Sequence, residues 1–156
     1  METVSVPFRL KYSLMNEHDV LRELERGDAL TIIAGMKVEV EVLGFVRLEA
    51  DAIVVEFREL GASRNAAGGD EAGATVRRVR IPLSAVDSIA VKRSWMLRPW
   101  LIIELNRLDV MPAVRWSDGA SVVLPLKWRD RTRGRALTVT VLNQLADRQL
   151  ARLGEC

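Results

Sequence analysis

Residues 77–128 read as a run of short strands turned by Asp118-Gly119, and residues 131–153 read as one amphipathic helix that ends the run. This order constrains the chain more than any other feature. A meander closed by a single helix fits a small barrel or sandwich with a helical plug, an architecture that serves binding more often than catalysis.

At 156 residues with 49% hydrophobic content, the chain has enough apolar surface for one domain. Residues 1–156 are therefore read as a single unit, with 1–28 as an N-terminal strand-and-helix extension and 29–153 as the main body. The sole cysteine, Cys156, permits no intramolecular disulfide. No signal segment and no run of about 18 apolar residues is read, so the expected compartment is the cytoplasm. Charge is uneven along the chain. Residues 1–75 hold 8 Lys+Arg against 14 Asp+Glu, and residues 76–156 hold 15 against 7. Either the halves interleave and the field averages out, or the second half presents a basic surface to an acidic partner.

Along the chain, Val6, Phe8, Leu10 and Tyr12 share one side of a first strand over 4–14. Asn16 as N-cap, the stripe Val20, Leu21 and Leu24, and Gly27 as a stop predict a helix over 17–26. Met36, Val38, Val40 and Val42 alternate with charges as a half-buried strand does, Gly44 interrupts, and residues 45–48 resume. A turn at Asp51 leads to a strand over 53–57. Residues 61–74, small and glycine-rich, predict a flexible loop. Strands follow over 76–83 and 88–93 and from Pro99, where Leu101, Ile103 and Leu105 share a face. Strands over 109–116 and 121–128 flank the Asp118-Gly119 turn and pair Ala113 with Leu124. In the final helix, Val139, Leu142, Leu145, Ala146, Leu150 and Leu153 recur at spacings of three and four and are expected to form the docked face.

The segment RVRIPLSAVDSIAVKRSW, then PWLIIELN, the Asp118-Gly119 turn and the closing helix together resemble the bacterial pleckstrin-homology-like domains. The likeness covers residues 29–153 and rests on apolar patterns rather than catalytic signatures. It implies a mainly β (α+β) fold: a strongly bent antiparallel sheet or barrel of about seven strands, capped by one C-terminal helix. Residues 4–26 stand outside that pattern as an extra strand and short helix. The resemblance implies a binding scaffold rather than a reaction, and carries over no phosphoinositide site.

Chemistry is sparse. His18 is the only histidine and has no second histidine for a ligand cluster; Cys156 lies on the terminus; the glycines at 68, 69 and 73 lack the lysine-serine ending of a phosphate loop. No catalytic residue, cofactor or metal is expected. Two basic groups stand out instead: Lys92, Arg93 and Arg98 near a turn, and Arg129, Arg131, Arg133 and Arg135 at the start of the last helix. Between them, Trp95, Met96 and Leu97 fall where a turn must lie and predict an exposed apolar tip.

These ten residues are the candidate interaction surface. The leading expectation is a non-enzymatic binding or scaffolding module that engages a protein partner or a second copy of itself through the tip or a free sheet edge. The alternative is peripheral binding to anionic lipid or another polyanion through the basic half. A small-molecule enzyme using the barrel mouth comes third, and nucleic acid is not an expected partner.

Overall fold

The computed structural model describes residues 3–14, 38–60, 75–93, 95–110, 116–117 and 120–154. Among them are seven strands in two antiparallel sheets and one C-terminal helix. Strands β1 (Ser5–Leu14), β2 (Val38–Glu49), β3 (Ala52–Leu60) and β4 (Arg77–Pro82) form the first sheet in chain order. Strands β5 (Val86–Arg93), β6 (Pro99–Leu105) and β7 (Ser121–Pro125) form the second, and helix α1 spans Arg131–Gly154. Neither sheet closes on itself. The predicted helix over 17–26, the loop over 61–74, His18, Cys156 and the Asp118-Gly119 turn lie outside the described residues.

Alternation produces the core. Val6 and Phe8 from β1, Val42 and Val46 from β2, Ile53, Val55 and Phe57 from β3 and Ile81 from β4 turn inward to meet Leu101 and Ile103 of β6 and Val122 and Leu124 of β7. The first strand belongs to this framework. It pairs with β2 through ten consecutive residues from Ser5↔Arg47 to Leu14↔Val38, and it lies beside β7.

The chain passes from one sheet to the other at a 3-10 turn, Leu83–Ala85, whose Leu83 and Ala85 are buried. The Leu83 N–H donates to the Asp51 carbonyl at 2.9 Å and the Asn106 N–H to the Ala85 carbonyl at 3.0 Å. The corner is thereby tied to the β2–β3 turn on one side and to the end of β6 on the other. Ile81-Pro82-Leu83, within the RVRIPLSAVDSIAVKRSW segment, leads from β4 into this corner.

Three sequence expectations are corrected. Gly44 does not interrupt its strand: β2 runs through it, with Gly44 paired to Phe8 on one side and Phe57 on the other. A Cβ there would collide with the Glu56 carbonyl oxygen and would lie 2.7 Å from the Phe8 ring. The missing side chain makes room for an aromatic that covers the glycine. Asp109 and Val110, expected to open a strand over 109–116, lie in a 3-10 turn, Leu108–Val110.

The third correction concerns which face of the helix docks. Gly134, Leu137 and Val141 are buried and Leu145 packs partly against the core, whereas Val139, Leu142, Leu150 and Leu153 are exposed. The helix carries two apolar stripes, and spacing alone does not choose between them. Gly134 decides, because its α-carbon comes so near Leu126 and Val91 that a Cβ would stand 2.7 Å from Leu126 Cδ1 and 3.3 Å from Val91 Cγ2. Residues 138–141 of the helix are all β-branched, and the Thr138 and Thr140 hydroxyls each donate at 2.9 Å to the carbonyl four residues back.

Candidate binding surface

Strands β5 and β6 pair up to Arg93↔Pro99, so the connection between them is short and projects from the end of the second sheet. Trp95 is 90% exposed, Met96 66% and Leu97 63%. Leu97 also takes a left-handed backbone conformation, φ 62°, where glycine or asparagine would sit with less strain. A large apolar side chain held in that conformation in full view of solvent does nothing for the core.

The two basic groups meet beside this tip, although Arg93 and Arg131 stand far apart in sequence. Trp128, half exposed, occupies the junction between β7 and α1. The Arg131 guanidinium lies 4.4 Å from its ring centre and that of Arg93 lies 5.3 Å away. The indole faces attract both cations and hold them in the same neighbourhood despite their like charge. Lys92, Arg98 and Arg129 are exposed around this junction, and Arg133 and Arg135 are exposed on the first turns of α1. None of the seven arginines and lysines predicted as contact residues has a carboxylate partner among the described residues.

The contrast lies on the first sheet. Arg78 and Arg80, which share the basic half, are absorbed by acids from the other half. Arg78 bonds Glu49 at 2.7 Å, Arg80 bonds Asp51 at 2.6 Å, and Arg47 holds Glu56 with both terminal nitrogens at 2.9 and 3.0 Å. The hydrogen bond from Arg47, helped by the nearby Arg78, holds the Glu49 carboxyl below the ordinary carboxylate range. On this face the halves interleave and cancel, while at the hairpin tip they do not.

A groove of about 1110 Å³ runs from the tip toward β1, lined among others by Met96, Leu97, Arg98, Trp100, Lys127 and Trp128 on one side and by Arg9, Lys11 and Tyr12 on the other. Among the described residues no carboxylate lines it, although Arg9 is ion-paired to Glu41. The indole N–H groups of Trp100 and Trp116 are buried and have no acceptor among the described residues. The groove therefore offers cations, which suits a ligand of negative charge. A second depression of about 710 Å³ includes Glu56 and the buried Asp130 with its basic lining, so its charge is mixed.

Sequence reasoning placed the tip and both basic groups but did not bring them together, and it missed Arg9 and Lys11. Arg9 and Lys11 alternate with the core residues Phe8 and Leu10, a visible signal of outward-facing cations. Their nearness to residues 96–98 comes only from the adjacency of β1 and β7. Glu104 is exposed and accepts a 2.6 Å hydrogen bond from Ser88 Oγ across the β5–β6 register. Among the described residues no group of three His, Cys, Asp or Glu could hold a metal ion, and no helix is long and apolar enough to cross a membrane. No protein-family model, curated protein or solved structure matches the chain.

Proposed function

We propose that this protein is a non-enzymatic docking module of the pleckstrin-homology-like type that attaches to anionic lipid surfaces by its β5–β6 tip. The single observation that carries the reading is the combination at that tip: three exposed apolar side chains ringed by lysines and arginines that have no carboxylate partner among the described residues. An apolar tip enters the acyl boundary, and cations near a negatively charged leaflet contribute on the order of 1 kcal/mol each. Four strands followed by three and a closing helix support the choice of scaffold.

Of the two surfaces considered for a protein partner, the β4 edge supports that role poorly. It is six residues long and carries Arg77, Arg78 and Arg80, a pattern that discourages added strands. The test is vesicle flotation across a series of phosphatidylserine contents in phosphatidylcholine. Binding is expected to rise with anionic content and to weaken with added salt. Recovery that is flat across the series would reject the lipid surface and return the tip to a protein partner.

A further inference from the structure

Helix α1 has a second apolar stripe that the fold leaves uncovered. At 100° per residue, the docked residues Gly134, Leu137, Val141 and Leu145 centre on one direction, and Val139, Leu142, Ala146, Leu150 and Leu153 centre roughly 140° around the axis. Leu150 and Leu153 are 66% and 73% exposed, and every residue of the last two turns from Ala146 is exposed. The stripe also has a symmetry. Val139 and Leu153 stand equally far from Ala146 in sequence, and so do Leu142 and Leu150.

From this we infer that α1 is the dimer seam of the protein, with a second copy packed antiparallel across a two-fold axis at Ala146. An isologous interface needs a surface complementary to itself after rotation, and a stripe symmetric about one residue meets that condition. Val139 then faces the partner's Leu153, and Leu142 faces the partner's Leu150. Ala146, the smallest member, stands where the two helices come closest. Asn143 and Gln149, also equally far from Ala146, border the stripe on opposite flanks, so a neutral amide lines each side of the seam. The stripe points away from the sheets, so the two domains lie outside the pair. Both stripes with their flanking residues would bury on the order of 1,000 Å² in all, at the lower end of what a specific interface needs. The dimer is therefore expected to be concentration-dependent. It does not rest on the lipid reading, since it uses a different surface.

Sedimentation velocity and light scattering on the full chain test it. Wild type is expected to move toward twice the chain mass as concentration rises into the hundreds of micromolar, and Leu150→Asp, at an already exposed position, to remain a monomer with unchanged circular dichroism. Orientation is read by a short bis-maleimide in a Cys156→Ser background. Ala146→Cys is expected to cross-link to itself, and a mixture of Val139→Cys and Leu153→Cys chains to cross-link to each other. A monomer at every concentration would overturn the inference, as would a dimer that survives Leu150→Asp or self-linking of Val139→Cys without the mixed product.

Discussion

Gly44 lies under the Phe8 ring and against the Glu56 carbonyl, so the space a side chain would need is filled by backbone on one side and a core aromatic on the other. Gly44→Ala is expected to cost about 1–3 kcal/mol through overpacking, measured as a lower denaturant midpoint. Leu97 poses the opposite case. Glycine there would relieve about 1 kcal/mol of left-handed strain and lose about as much to the freedom of the unfolded chain. Leu97→Gly should therefore leave stability nearly unchanged while weakening vesicle binding, which separates a working side chain from a structural one. At Glu49, the folded carboxyl titrates below its unfolded counterpart, so its ion pairs stabilise fully at neutral pH and are lost as pH falls through and below the ordinary carboxylate range. Glu49→Gln is expected to flatten the acid limb of a thermal-midpoint profile. A profile unchanged by that substitution would show that the Arg47 and Arg78 pairings contribute nothing measurable.

At the scale of elements, the two stripes of α1 make separable claims. Leu137 is fully buried, and Leu137→Ala is expected to cost about 2–5 kcal/mol in unfolding measured at low concentration, whereas Leu153→Ala should cost under about 0.5 kcal/mol there. The reverse order would mean that the other stripe docks. This is also where the sequence stopped informing. Strands such as β2 and β6 were legible because alternation writes their buried face directly, as Val40, Val42 and Leu101, Ile103 show. The helix was legible in length and type but not in orientation, since both stripes satisfy the same spacing and a glycine outside the read stripe settles the matter. Gly44 was misread because a glycine in a strand signals a break or a close approach equally well, and only the Phe8 partner across the register distinguishes them.

At the scale of the molecule, charge is sorted by surface. Arg47 of β2 and Arg78 and Arg80 of β4 are neutralised across the first sheet, and those around Trp128 have no acid partner among the described residues and stand beside an apolar tip. The tip itself could be read from Trp95, Met96 and Leu97 standing together between strands. Its joining with Arg131 depends on how β7 delivers the chain to α1, a long-range outcome that local patterns do not contain. The corner at Leu83–Ala85 is fixed to the Asp51 carbonyl, so the β2–β3 turn and the tip stand at opposite ends of the second sheet, about 20 Å apart by the length of β6. That separation permits the most direct test of the docking surface. In a Cys156→Ser background, a nitroxide at Trp95→Cys and another at Asp51→Cys can be read for immersion on phosphatidylserine-containing vesicles by electron paramagnetic resonance. The expected result is a probe at 95 that becomes shielded from water and accessible to oxygen while the probe at 51 stays in water. Bound protein whose probe at 95 remains as hydrated as the probe at 51 would contradict the assignment of the tip as the membrane-facing surface.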